Sequence, residues 1–305
     1  MSAAVPPASA RARVAAWIAD AALLGVTLIW GVTFPVVKAA LADAGPLSFN
    51  AVRFTFAVAL LAALLRPRWR TLPPAAWRAG AVLGLLLAAG YALQNAGLTR
   101  IAPSVSAFLT STSVILVPLL LALGWRRALP PSAWLSSLLA LAGLALLLAP
   151  AAGGARAGAA LGEGLTLACA AAFALQIIAL GEWAPRHGFR ELAVLQVGFA
   201  AVFTWLTLPL VEVPHWHWTP RLWIALVATA ALATALAFFV QSWAQQFTPA
   251  SHTAVVFAFE PVFAWLAAAI GWHQRMRAPA LAGAALIVAA MLIMEWRPRR
   301  RAAGD

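Results

Sequence analysis

Ten apolar stretches succeed one another along this chain, each close to the roughly 20 residues a helix needs to cross the hydrocarbon core of a bilayer. They lie near 20–39, 47–65, 77–98, 103–123, 132–150, 160–182, 191–210, 221–243, 250–270 and 279–295. In lipid the backbone must satisfy its own hydrogen bonds, so each stretch has to fold as a helix. Gly and Pro inside the runs (Pro35, Pro118, Pro261) would break soluble helices but are tolerated in spanning ones, where neighbours re-satisfy the freed groups. Only 10% of the 305 residues are charged and 64% are apolar, too few charges to clothe a soluble domain and too much hydrophobicity for disorder. The fold class expected is an all-α polytopic membrane protein with ten transmembrane helices.

The net charge of +12 does not point to nucleic acid, because the basic residues punctuate the apolar runs in small groups instead of gathering on one face or arm. With the N-terminus inside, fourteen of the Lys and Arg residues fall in cytoplasmic segments and six (Lys38, Arg100, Arg156, Arg221, Arg275, Arg277) in outer ones, with Arg53 inside a span. That asymmetry predicts both termini in the cytoplasm of a multi-pass protein of the cell membrane. Arg11 and Arg13 precede the first run as in a signal peptide, but no convincing cleavage site follows, so the run is read as a retained helix. Of fifteen tryptophans, eleven fall near span ends, as in an aromatic belt, while Trp30, Trp205, Trp243 and Trp265 lie inside or near the edge of spans. The single cysteine, Cys169, excludes a disulfide framework and a multi-cysteine metal site. His215 and His217 flank Trp216 in an outer loop and are too few for a metal site; no metal or cofactor is expected.

The chain also repeats itself. Gln94, Ala102-Pro103-Ser104 and Pro118 are echoed by Gln241, Thr248-Pro249-Ala250-Ser251 and Pro261, at offsets of 147, 146 and 143 residues. Five spans per half is an odd number, so the second copy must sit upside down relative to the first. Inverted repeats with a solute site at their interface are the signature of secondary transporters.

These residues resemble the drug/metabolite transporter superfamily, in its EamA-like branch. The resemblance rests on Trp30-Gly31, Phe34-Pro35 and Lys38, then on Pro46, Asn50 and Arg53-Phe54. Gln94, Gly97-Leu98, Pro103, Ala107-Phe108-Leu109 and Pro118-Leu119 continue it, with Gln241, Trp243-Ala244-Gln245 and Glu260-Pro261-Val262-Phe263 in the second half. It implies two inverted EamA-like five-helix repeats, over 20–150 and 159–296, joined by a linker at 151–158 and flanked by cytoplasmic tails at 1–19 and 297–305. It implies export or exchange of small polar metabolites, amino acids among them. A small-molecule substrate and the lipid bilayer are the partners that follow, with proton coupling and a homodimer as options. Relatives commonly close the fourth and ninth spans with Gly-Glu, whereas this chain reads Gly124-Trp125-Arg126 and Gly271-Trp272-His273-Gln274.

Polar residues within the spans are the candidate site. Tyr91, Gln94 and Asn95 share one helix face; Thr234, Phe238, Gln241 and Gln245 share another. Either face could be inter-helix glue, worth about 0.6–2 kcal/mol per contact, or a wall of a solute cavity; the repeat-equivalence of Gln94 and Gln241 favours the cavity, with Thr110 and an aromatic wall at Trp30. Of the hydroxyl run Thr110-Ser111-Thr112-Ser113, one or two can compensate the carbonyl freed by Pro118, while at least one faces the pore. Glu260, the one acid near the centre of a span, precedes Pro261; a charge at that depth costs at least about 2.5 kcal/mol on insertion scales, so it is either a hydrogen-bonded structural acid or an ion-coupling site. Arg53 could snorkel to the outer headgroups, pair with an acid or meet a substrate carboxylate. Pro118 and Pro261 are expected to mark helix breaks.

The leading reading is a secondary carrier using alternating access. A passive channel or facilitator is the alternative, and an intramembrane enzyme a weaker one: there is no His-Glu-x-x-His pair, no Gly-x-Ser-x-Gly turn and no second central carboxylate for aspartyl chemistry. Without a Gly-x-x-x-x-Gly-Lys loop a primary pump is excluded.

Overall fold

The computed structural model describes residues 8–67, 69–148, 158–272 and 278–295. Most of the 151–158 linker, the C-terminal tail, Arg156, Arg275 and Arg277 lie outside them. The described residues are helical, with a single isolated bridge between Ala44 and Trp216 and no strand. In order the helices are α1 (Ala8–Ala40), α2 (Pro46–Leu65), α3 (Pro74–Leu98), α4 (Pro103–Ser111), α5 (Ser113–Leu123), α6 (Pro131–Leu148) and α7 (Ala159–His187). They continue with α8 (Phe189–Val211), α9 (Pro220–Ala230), a π turn (Ala231–Leu236), α10 (Ala237–Ala244), α11 (Ala250–Phe257), α12 (Glu260–Trp272) and α13 (Ala278–Glu295). Among the described residues seven helical stretches are long and apolar enough to cross a membrane, including Pro103–Leu123 and Pro220–Ala244, which join consecutive helices end to end. Shorter apolar helices cover Pro131–Leu147, Ala250–Leu266 and Ala278–Met294.

Local sequence sets many of these starts. α2, α3, α4 and α9 each open on a proline, whose fixed φ suits the first helical turn and whose missing N–H is no loss there. At α9 the Thr219 hydroxyl also accepts from Leu222 N at 3.1 Å. α7 passes into α8 through Gly188 alone, at φ 82°, a left-handed conformation that only glycine adopts freely. The first helix starts earlier than its apolar run: residues 8–19, expected as a tail, continue α1, because Ala and Arg are strong helix formers.

Pro118 does not break its helix. It lies inside α5, and the interruption falls at Thr112, whose hydroxyl donates to Leu109 O at 2.6 Å. The carbonyl that Pro118 deprives of a donor is that of Val114, so the Thr112–Leu109 bond belongs to the interruption itself and not to the proline. At Pro261 the interruption covers Ala258 and Phe259, just ahead of Glu260, so the proline falls in the first turn of α12.

The bundle is apolar outside and polar within. Leu64 is 71% exposed, Leu123 72% and Leu210 82%, whereas Asn50, Gln94, Asn95, Gln196 and Gln241 are buried. That inversion is what a lipid solvent selects. α3 packs between α7 and α8, α6 lies along α13, and α1 contacts α10 and α12. Phe54, Leu87, Val197 and Phe238 form the largest apolar cluster, between α2, α3, α8 and α10.

Polar ties close both ends. At one, Lys38 donates to the carbonyls of Leu98 and Ile101, and Glu212 accepts from Leu47 N (3.0 Å) and Ser48 N (3.1 Å), capping α2 from a distant part of the chain. There Asp43 also binds Arg221 through Nε (2.8 Å) and NH2 (2.7 Å) and accepts from Thr219. Those bonds hold the Asp43 carboxyl below its ordinary value of 3.8, at about 2. At the opposite end Asp20 accepts from Thr248 at 2.8 Å, and Arg127 pairs with Glu182 at 2.7 Å.

Candidate functional site: a buried polar cavity

A cavity lies inside the bundle. Of the residues singled out from the sequence, Trp30, Arg53, Tyr91, Gln94, Asn95, Thr110, Gln241 and Glu260 line it. α1, α2, α3, α4, α10 and α12 each present at least one of them, so residues up to 230 positions apart in the chain meet around one space. Aromatic rings make much of the remaining wall: Phe173, Phe238 and Phe257 line it, with Trp30 at 4.9 Å from Phe257 and 5.8 Å from Phe238 between ring centroids.

Arg53 is 3% exposed, so it does not snorkel. None of the ion pairs among the described residues involves it. Its Nε donates to Thr234 Oγ1 at 2.7 Å, and its NH2 to Ala233 O at 3.2 Å and Tyr91 OH at 3.4 Å. The guanidinium carbon lies 4.4 Å from the Tyr91 ring centroid, a cation–π contact. Two of those partners belong to the π turn, whose Ala233 carbonyl also accepts from Trp30 Nε1 at 2.9 Å. Single π turns inside α-helices recur at functional sites; this one holds two cavity residues by one carbonyl.

Glu260 is 6% exposed, and no side chain among the described residues pairs with or bonds its carboxyl. Its backbone is approached closely by α1: a Cβ at Gly31 would sit 2.6 Å from Glu260 O, so the Trp30-Gly31 sequence needs glycine to let α1 against the interrupted α11–α12 segment. The cavity therefore carries a cation and an acid on its wall that are not paired with each other.

Other polar residues satisfy one another. Gln94 donates to Thr110 Oγ1 at 3.1 Å, and Asn95 to Asn50 Oδ1 at 2.8 Å. Of the hydroxyl run, Thr110 and Ser113 face the cavity while Thr112 spans the helix interruption. Gln245 does not line the cavity. It sits one turn further along and lines a second pocket, at the Arg127–Glu182 end.

Sequence reasoning passed over Gln176, which lines the cavity and bonds Gln241, and Gln196 behind it. A lone glutamine in the apolar stretch Ala170–Leu180 was the signal for Gln176. Among the described residues no group of three His, Cys, Asp or Glu side chains could hold a metal ion.

An apolar helical exterior around buried polar side chains defines an integral membrane protein. The chain belongs to the EamA-like transporter family, whose sequence profile matches residues 17–149 and again 160–296. A protein of Archaeoglobus fulgidus described as an uncharacterized transporter is 30% identical over 279 residues, covering 92% of this chain and 86% of that one. A solved crystal structure shares the fold with a TM-score of 0.72 at 21% identity, over 90% of this chain and 96% of the other.

Proposed function

We propose that this transporter is a secondary carrier for small polar metabolites, amino acids in the first place, that exports or exchanges them across the cell membrane by alternating access. Ten spans would form two inverted five-helix repeats, 20–150 and 159–296, with the cavity between them and both termini in the cytoplasm. The double match of the family profile supports two repeats. So do the interruptions of corresponding helices, at Thr112 and at Ala258–Phe259. Fusions of a compartment reporter at Arg100 and Arg126 should read outside and inside respectively; the same compartment at both would overturn the topology.

The observation that carries the substrate reading is Arg53, a buried cation on the cavity wall with no acid partner among the described residues. A carboxylate on the solute would complete it through charge-assisted hydrogen bonds from Nη1, the nitrogen that the bonds to Thr234, Ala233 O and Tyr91 do not use. Glu260, Gln94 and Gln241 offer polar contacts around the same space, and the aromatic rings suit an apolar side chain. The full-length protein in proteoliposomes should take up labelled leucine faster when the lumen is preloaded with unlabelled leucine. A carrier gives that counterflow; a passive channel does not, and its absence would overturn the carrier reading. Alanine at both Gln94 and Gln241 should reduce the flux while leaving the amount of protein in the membrane unchanged.

A further inference from the structure

Between the central cavity and the pocket at the Arg127–Glu182 end runs a chain of four glutamines: Gln196 on α8, Gln176 on α7, Gln241 on α10 and Gln245 just past its end. Gln245 Nε2 donates to Ile177 O at 2.8 Å, and its Oε1 accepts from Gln241 Nε2 at 3.0 Å. From the other side, Ser242 Oγ donates to Phe238 O at 2.6 Å and accepts from Gln196 Nε2 at 2.9 Å. Gln196 Oε1 then accepts from Gln176 Nε2 at 3.0 Å, and Gln176 Oε1 from Gln241 Nε2 at 3.1 Å.

Each end of this chain terminates on a backbone carbonyl, which can only accept. An amide has one accepting oxygen and one donating NH2, so fixing the first donor fixes every amide after it. The two branches converge on Gln241, whose NH2 must give one hydrogen to Gln245 and the other to Gln176. Turning the Gln241 amide over would set its oxygen against two further oxygens. Its own Oε1 is left buried with no hydrogen-bond partner among the described residues, on a side chain that is 1% exposed and lines the cavity. An unfilled buried acceptor is costly, and a donor arriving with the solute relieves that cost.

We infer that the glutamine chain holds Gln241 in the single orientation that presents its carbonyl oxygen to the solute, which makes an N–H donor such as a primary ammonium a requirement for tight binding. Gln176, Gln196, Ser242 and Gln245 are then positioning residues that set specificity through Gln241. Gln196 and Ser242 do not line the cavity themselves. This rests on the carrier reading of the cavity above, and deepens it by assigning the feature of the solute that the second half of the chain reads.

The test compares leucine with its N,N,N-trimethyl derivative, which keeps both charges but has no N–H. Inhibition of labelled-leucine counterflow by each compound is measured on the full-length protein in proteoliposomes. The wild type should prefer leucine by about tenfold or more, the range of one charge-assisted hydrogen bond. Because the Gln245 branch alone still fixes Gln241, both branches are broken together: Gln196→Leu with Gln245→Leu frees the Gln241 amide to turn over, and Ser242→Ala with Gln245→Leu does so with a smaller change in volume. Both variants should bring the two compounds within about threefold of each other, less than half the free-energy gap of a tenfold preference, while leucine still exchanges. A purely structural role would lower uptake without changing the ratio. A wild type that does not distinguish the compounds, or a ratio unchanged in whichever variants fold, would overturn the inference. If the wild type shows no leucine counterflow at all, the carrier reading falls first, and this inference with it.

Discussion

Replacing Arg53 with methionine is expected to abolish leucine uptake while leaving the bundle folded. Breaking a buried ion pair usually costs about 3–5 kcal/mol of stability, because the partner is left as an uncompensated charge. Arg53 has no such partner; its bonds go to Thr234, Ala233 O and Tyr91, all neutral. When the guanidinium goes, Ala233 O still accepts from Trp30 and Thr234 Oγ1 still donates to Thr229 O at 2.8 Å. The methionine side chain replaces the arginine stem, so the melting temperature in detergent should fall little or rise. The solute carboxylate, by contrast, loses its cation in a site shielded from water, a loss of about 2–5 kcal/mol, or at least about thirtyfold in binding. Arg53→Lys keeps the charge but not the planar fork, and a point charge cannot hold Thr234, Ala233 O and a carboxylate together; it should be intermediate. Leucine methyl ester supplies the internal check, since the wild type should reject it and Arg53→Met should treat ester and acid alike. Arg53 would be a structural cation if Arg53→Met melted far below wild type, or if it carried leucine at the wild-type rate.

The order of the apolar runs is legible in the sequence because lipid imposes one demand along a whole helix, and the helices of the bundle lie where those runs do. Depth and rotation are less legible. Gln245 follows Gln241 by four residues and shares its face, but four residues rise about 6 Å along a helix, which carries Gln245 past the cavity and into the second pocket. Gln176 and Gln196 stand alone in apolar stretches, and whether such a residue faces a cavity, a neighbour or lipid depends on how its helix is turned against helices far away in sequence. The π turn lies in Ala231–Leu236, a run of Ala, Leu and one Thr that composition does not distinguish from ordinary helix. What the sequence could not announce there is the pair of donors, Trp30 and Arg53, that converge on Ala233 O from two other helices. Arg53 itself carried three readings. Its 3% exposure removes snorkelling, and the lack of a facing acid among the described residues removes the ion pair.

Glu260→Gln is expected to uncouple transport from a proton gradient while sparing exchange. The carboxyl lies on the cavity wall at the start of α12, directly after the interruption of the α11–α12 segment, so it moves with any hinge at Ala258–Phe259. α1 touches the same point through Gly31, and α1 also brings Trp30 and Phe34 to the cavity. A rearrangement that exposes the cavity to the other side therefore changes the surroundings of Glu260 directly. A proton drives such a cycle only if it binds the two states with different affinity, and a carboxyl without a fixed partner is free to differ between them. Glutamine keeps the shape and the hydrogen-bonding capacity but cannot take up or release a proton. In proteoliposomes with an imposed pH gradient, the wild type should accumulate leucine against its concentration gradient and Glu260→Gln should not. With leucine on both sides and no gradient, Glu260→Gln should still exchange label, because exchange needs only the loaded carrier to reorient. Gradient-driven accumulation that survives the substitution would make Glu260 a structural acid. Loss of exchange together with accumulation would instead make it part of the solute site, bonded to the same ammonium that Gln241 receives.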